Sequence, residues 1–274
     1  MQRKMQKEEC SSIQQKNTGL NMDYKKLVDT ALLAGKILLE SSAETYRVED
    51  VMNRILDISN LETTEAVALT TGLFITLDDP SINAITVMKR ITVRGINLNN
   101  IDKVNAISRA LTANNCTLEE AYTELQNIDE SQYNPLLKDI ASSLISPFFA
   151  LLLGGGLIEA LIAWINGVVM VFSSKLEKKV NMGFFIQNLL YSALVAAWIT
   201  LLHRYVLTNI NADVAITGSI MPLVPGTAIT NAFRDTLRGD YMASGARAIE
   251  AVIVALSIAV GVALGLILTG GLSL

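Results

Sequence analysis

The chain has 274 residues, with 22 Lys/Arg against 26 Asp/Glu, one histidine and two cysteines. The lone His203 excludes a multi-histidine metal site, and Cys10 and Cys116 have no CxxC spacing, so a disulfide framework is not expected and a reduced compartment fits better. The charge is unevenly placed: residues 1–139 carry 15 Lys/Arg and 20 Asp/Glu, residues 140–274 only 7 and 6, and so acidic a first half argues against nucleic acid as a partner.

Residues 1–22 contain no apolar run, so a cleaved signal peptide is not expected and the stretch reads as a flexible tail. From 23 to 135 the pattern is that of a small α+β domain. Leu27, Ala31, Ala34 and Leu38 recur at the helical period across 23–40. Ser41 and Glu44 have the spacing of a capping box, which predicts a second helix from there to about Ser59 that buries Val48, Val51, Met52 and Ile55. Between 66 and 94 the period changes to two. Val67, Leu69, Leu73, Ile75 and Leu77 alternate, Asp78-Asp79-Pro80-Ser81 signals a turn, and Ile85, Val87, Ile91 and Val93 resume the alternation. A β-hairpin with one buried face follows, its return strand carrying Arg90 and Arg94 on the other face. So small a sheet leaves room for completion by another strand or another subunit. Two helices are predicted next, one over 99–113 with Ile101, Val104, Ser108 and Leu111 on one face, the other capped by Thr117 with Glu120. Asn134-Pro135 closes the domain.

The second half, 136–274, has the pattern of a membrane domain. Charge-free stretches run 140–158, 160–174, 180–202, 214–233 and 251–274, each near the roughly 20 residues that cross a hydrocarbon layer. The first two are separated by Glu159 beside Gly154-Gly155-Gly156, and a tight helical hairpin turning at the glycines is the preferred reading. With five spans, six loop cations (Lys175, Lys178, Lys179, Arg234, Arg238, Arg247) fall on the side of the N-terminus and Arg204 alone on the other. The positive-inside rule then predicts a multi-pass plasma-membrane protein with a cytoplasmic N-terminal domain and the C-terminus outside.

Four stretches in order resemble the threonine/serine exporter family: AGKILLESSAETYRVEDVMNRI (34–55), RGINLNNIDKVNAISR (94–109), LLLGGGLIEAL (151–161) and GSIMPLVPGTAITNAFRD (218–235). Two departures are mild. Ser42 stands where the family usually has glycine, and Glu159 where aspartate is common. The resemblance implies secondary export of small polar metabolites, either threonine/serine-type amino acids or dicarboxylates such as succinate. Full-length members carry a second membrane domain, and because this chain stops at Leu274 it looks like the larger subunit of the split, two-component form. A smaller membrane subunit is the implied partner, with a higher homo- or hetero-oligomer also open.

The residues themselves point to 218–235 as the transport element. Pro222 and Pro225, with Gly226, interrupt a hydrophobic segment midway, and discontinuous membrane helices supply transporters with binding groups near the midplane. Thr227, Thr230, Asn231 and Asp235 follow on the same element. A packing kink without a ligand is the competing reading. Glu159 is either a protonatable coupling site or an interfacial cap on the hairpin. Asp213 is similarly open and fits a helix N-cap better. In the first domain, Glu40, Glu44, Arg47 and Asp50 have the spacing of surface ion pairs; a regulatory or partner site using Glu44, Arg47, Asp50, Arg90 and Arg94 is the alternative. No nucleophile elbow, catalytic pair or P-loop occurs, so neither an enzyme, a nucleotide-driven pump nor a cofactor is expected. The alternative from another class is a membrane-anchored ligand sensor or scaffold, for which a broken helix has no obvious use.

Overall fold

The computed structural model describes residues 23–92, 95–128, 133–180 and 183–271, with the side chains of 176–180 set aside. The tail 1–22, Val93, Arg94 and the side chains of Lys178 and Lys179 therefore lie outside the described residues. The chain divides into two compact units. One contains the described residues before 130 together with Asn231–Ala246, and the other 131–230 together with the chain from Arg247 onward.

In the first unit, helix α1 (Tyr24–Glu40) opens on Asp23, whose carboxylate accepts the Lys26 N–H at 3.0 Å. Helix α2 (Thr45–Leu56) continues into a 3-10 turn over Asp57–Ser59. The apolar faces are those the period predicts: Leu27, Ala31, Ala34 and Leu38 of α1 and Val48, Val51, Met52 and Ile55 of α2 are all buried. The two helices approach closely at Gly35, where any side chain would meet Met52. The expected capping box at Ser41 and Glu44 does not form. Ser41 ends α1, Ser42 takes a left-handed backbone (φ 64°), and Glu44 occupies the N-cap of α2 without a side-chain cap bond. That φ is one that residues with a Cβ adopt at a cost.

Among the described residues the sheet has three antiparallel strands in sequence order: β1 (Thr63–Leu69), β2 (Gly72–Asp78) and β3 (Ile85–Arg90). The hairpin expected at 78–81 is the second of two. A tighter one, closed by the Leu69–Gly72 pair, precedes it. This corrects the phase of β1, which buries Ala66 and Ala68 and leaves Val67 outward; Leu73, Ile75 and Leu77 of β2 are buried as expected. Helix α3 (Leu98–Thr112) is capped by Asn97 and buries Ile101, Val104, Ser108 and Leu111. Helix α4 (Leu118–Gln126) carries the full Thr117/Glu120 capping box.

The second unit begins at Asn134, whose side chain accepts the Leu136 N–H at 3.0 Å with Pro135 in the first turn. Asn134-Pro135 thus opens a helix. Among the described residues, four stretches are long and apolar enough to cross a membrane: Pro135–Leu152, Leu157–Lys175, Phe184–Tyr205 and Tyr241–Leu268. A fifth results if the bent pair Ala212–Leu223 and Gly226–Leu237 counts as one. We number the helices α5 (Pro135–Ser143), α6 (Ile145–Leu152), α7 (Leu157–Val180), α8 (Phe184–Tyr205), α9 (Ala212–Ile220), α10 (Gly226–Leu237) and α11 (Tyr241–Leu268). The break between α6 and α7 falls at the triple glycine, with Gly154 left-handed (φ 87°).

Close approaches at glycines fix the helix directions within this unit. Gly167 of α7 lies against Ser143 of α5 and Gly218 of α9 against Ala150 of α6. Gly261 and Gly265 of α11 lie against Leu189 and Ala193 of α8, and Arg204 reaches the Thr269 carbonyl at 3.1 Å. Helices α8 and α11 therefore run parallel. The α9–α10 segment must return the chain to the end from which α8 began.

Candidate functional site

The break between α9 and α10 is built by its prolines. Helix α9 passes into a 3-10 turn over Met221–Leu223, Val224 is extended (ψ 128°), and α10 restarts at Gly226. Pro222 has no N–H to return to the Gly218 carbonyl, and Pro225 none for Met221, whose carbonyl takes the Val224 N–H at 3.1 Å instead. The Gly226 N–H turns back to the Val224 carbonyl at 2.8 Å, and the two helices meet at 58°. Gly226, Thr227 and Thr230 are exposed; the Thr230 hydroxyl is spent on the Gly226 carbonyl at 2.8 Å, whereas Thr227 has its side chain in the first turn of α10.

The remainder of the predicted element lies in the first unit. Asn231 is 8% exposed and donates its amide to the Ser42 carbonyl at 3.1 Å. Arg234 pairs with Glu44, which also holds the Arg47 Nε at 3.1 Å. The Arg238 guanidinium stacks 4.2 Å from the Tyr46 ring centroid. Asp235 is fully buried. On its other side the Ser41–Ser42 turn is held by the segment before α3: Gly95 donates to the Glu40 carbonyl at 2.8 Å, Asn97 to the Ser41 carbonyl, and the Ser42 hydroxyl to the Gly95 carbonyl at 3.0 Å. Parts of three of the four stretches singled out in the sequence, around residues 42, 95 and 231, thus converge on one turn.

Glu159 is 9% exposed and bridges two backbones. One carboxylate oxygen accepts the Gly156 N–H at 2.8 Å and the other the Asn211 N–H at 2.9 Å. The acid ties the glycine turn to the start of α9, the geometry of the hairpin cap. Asn211, not Asp213, is the N-cap of α9; Asp213 is exposed in its first turn. Deeper in the unit, Asn166 of α7 donates to the Ser219 hydroxyl and accepts the Trp198 indole N–H, both at 2.8 Å, while its carbonyl takes the Tyr191 hydroxyl. Sequence reading missed this network and the Tyr46–Arg238 contact. A lone Asn in an apolar helix was the available signal, because such a group needs partners.

The other predicted residues of the first unit are ordinary. Asp50 pairs with Arg54 at 2.9 Å on the surface and Arg90 is exposed on β3. No hydrogen bond or ion pair among the described residues joins Arg47 to Arg90, and none of these residues forms a group of three or more acids, histidines or cysteines able to hold a metal.

Apolar helices, a broken pair among them, together with a small α+β unit define a multi-pass helical membrane protein. Residues 29–269 match the family model described as "Putative threonine/serine exporter", and the chain belongs to this threonine/serine exporter family. No curated protein and no solved structure matches.

Proposed function

We propose that the chain is a transport subunit of a gradient-driven secondary exporter of small polar carboxylates, serine- and threonine-type amino acids first and dicarboxylates such as succinate second. The observation that carries this reading is the break at Pro222–Gly226. It turns the N-terminal end of α10, with the Thr227 hydroxyl, into a site inside a hydrophobic segment. The first N–H groups of a helix have no partners within it, and their partial positive charge favours a carboxylate. A discontinuous helix near mid-bilayer is also how other transporters bind anionic substrate groups. A sensor or scaffold has no evident need for such a break.

The parallel course of α8 and α11 supports counting the bent pair as a crossing, which gives five. Residues 231–246, which pack with the N-terminal domain, then lie on that domain's side of the membrane together with Lys175, Arg234, Arg238 and Arg247. The positive-inside rule makes that side the cytoplasm. In this reading Asn231, Arg234 and Arg238 do not bind substrate. They fasten the cytoplasmic end of α10 to the N-terminal domain, while Pro222, Pro225, Gly226 and Thr227 serve the substrate. A smaller membrane subunit as partner belongs to the same proposal; much of the surface of α11 is apolar and uncovered, and lipid or another subunit would cover it.

The test is counterflow of labelled serine, threonine and succinate in proteoliposomes, with and without a small partner subunit. Pro225→Ala restores a backbone donor, so the variant is expected to insert and melt as before while losing at least tenfold in transport. Normal transport by a well-folded Pro225→Ala variant would remove the break from the mechanism.

A further inference from the structure

The three-stranded sheet has two edges that the molecule treats differently. Along β1 the outward N–H groups are covered by side chains of α2: Ala66 donates to Asn53 Oδ1 at 2.8 Å and Ala68 to Glu49 Oε1 at 2.9 Å. The Thr64 hydroxyl is likewise spent, on Asp57 at 2.8 Å. Along β3 nothing comparable occurs. Ile91 donates to the Thr71 carbonyl at 3.0 Å, which sets the alternation: 85, 87, 89 and 91 bond inward to β2, while Thr86, Met88 and Arg90 turn their N–H and C=O groups outward. Among the described residues no hydrogen bond reaches those outward groups, and all three side chains are exposed. On the face turned away from the core, the register also aligns Val67, Phe74 and Met88, which are 46%, 36% and 61% exposed, in a row that ends at this open edge. An unpaired edge with an apolar row leading to it is a template for another strand.

We propose that the strand completing this sheet is β3 of a second copy of the chain, running antiparallel about a two-fold axis at Met88. In that register Met88 faces its own counterpart and Thr86 faces Arg90 of the second copy, so each outward N–H and C=O of the three residues gains a partner. The two apolar rows join end to end across a six-stranded sheet, Val67–Phe74–Met88 meeting Met88–Phe74–Val67. Charge and strand length select this register over its neighbours. Moving the axis to Arg90 would set two guanidinium groups opposite each other, and moving it to Thr86 would place Met88 opposite Ala84, beyond the strand. With the axis at Met88, Lys89 faces Val87 and no like charges oppose. The contact is self-complementary, as a two-fold interface requires.

The test uses the full chain in lipid nanodiscs or mild detergent, with Cys10 and Cys116 replaced by serine. A hydrogen-bonded antiparallel pair has Cα atoms about 5.5 Å apart, within reach of a disulfide. Met88→Cys should therefore form a covalent dimer under mild oxidation at least tenfold faster than Val67→Cys, which is exposed on the strand at the closed edge. Met88→Glu sets two carboxylates opposite each other and should shift the dimer to monomer in light scattering while residues 23–128 keep their resistance to protease, because the side chain is exposed in the single chain. Cross-linking at Met88 no faster than at Val67, or a dimer untouched by Met88→Glu, would overturn the proposal. So would a dimer that appears only after removal of residues 1–22, which would give the edge to that segment.

Discussion

The two units of this protein are built on opposite plans. In the first, large aliphatic side chains fill the interior: Leu27, Leu38, Leu39, Met52, Ile55, Leu56, Leu73, Ile75 and Leu77 are all essentially unexposed. In the second, a smaller aliphatic cluster around Ile162, Val195, Ile199 and Ile216 shares the interior with many small and polar residues. Ser146, Ser192, Ser219 and Ser257 are 0% exposed and Asn188 is 1%, whereas Leu157 is 82% exposed and Leu268 80%. Water explains the first plan, because removing apolar area from it drives folding. In hydrocarbon a leucine gains nothing by leaving the lipid, so helices associate through close backbone approach and interhelical hydrogen bonds. The same chain thus draws on two different sources of cohesion, and substitutions can tell them apart.

The largest effect is expected at Gly218. A Cβ there would lie 2.7 Å from the Ala150 Cβ and 2.8 Å from its backbone nitrogen and Cα, and neither backbone can give way. Gly218→Leu should prevent α9 from docking on α6, and overpacking of this kind costs about 3 kcal/mol or more. The expected result is loss of a monodisperse, thermally stable species in detergent while residues 23–128 keep their protection from protease. In the first unit the corresponding test is Leu38→Ala, which leaves a cavity beneath the sheet and should cost about 2–5 kcal/mol. Its signature is reversed: protease sensitivity in 23–128 with the membrane helices intact. If both variants damaged both units equally, the contrast would fail.

A smaller effect isolates the polar network. Asn166→Leu removes the bonds to Ser219 and Trp198 and leaves the indole N–H of Trp198 without its acceptor. Interhelical hydrogen bonds in membranes contribute about 0.6 kcal/mol on average, so a loss of about 1 kcal/mol is expected, read as a lowered melting temperature in detergent. Trp198→Phe, which deletes one bond only, should lose about half as much. A stabilised Asn166→Leu would mean that the polar network adds nothing to the cohesion of the membrane unit.

How much of this was legible in the sequence follows the same division. Faces set by periodicity were readable: the buried stripes of α1, α2 and α3, the Thr117/Glu120 cap, the glycine turn and the proline break all depend on residues within a few positions of one another. What escaped depended on distant partners. The Ser41/Glu44 box failed because Ser42 turns left-handed and Glu44 is taken by Arg234, 190 residues away. The first hairpin was hidden because Thr70-Thr71 carry none of the Gly, Asn or Asp that mark two-residue turns. The phase of β1 was misread because its buried residues are alanines, with Val67 left to the outer face. At the candidate site the break could be seen, but the attachment of Asn231 to Ser42 could not, since no local pattern links residues so far apart.

The smallest effect sharpens the electrostatics of the first unit. Glu49 accepts the Ala68 N–H, yet partial burial, together with the nearby carboxylates of Asp240, Glu65 and Asp235, holds its carboxyl above the ordinary range. A raised folded-state value means that the folded protein binds this proton more readily than the unfolded chain. The Glu49 contribution therefore favours folding in acid and weakens it as pH rises from the unfolded value through the folded one. Glu49→Gln keeps an acceptor oxygen for Ala68 and removes the charge. It should raise the melting temperature by about 1–2 °C at pH 7.5, with the advantage shrinking toward zero as the pH falls to about 4.5. Asp79 and Glu120, whose carboxyls are held below the ordinary range by hydrogen bonds from Ser81 and Thr117, give the opposite slope, but they are present in both proteins and cancel in the difference. Melting curves of the two proteins across this pH range decide the matter. A variant less stable than the parent at pH 7.5 would show that the Glu49 charge is held by a favourable partner, and that the acidic groups around it do not govern its protonation.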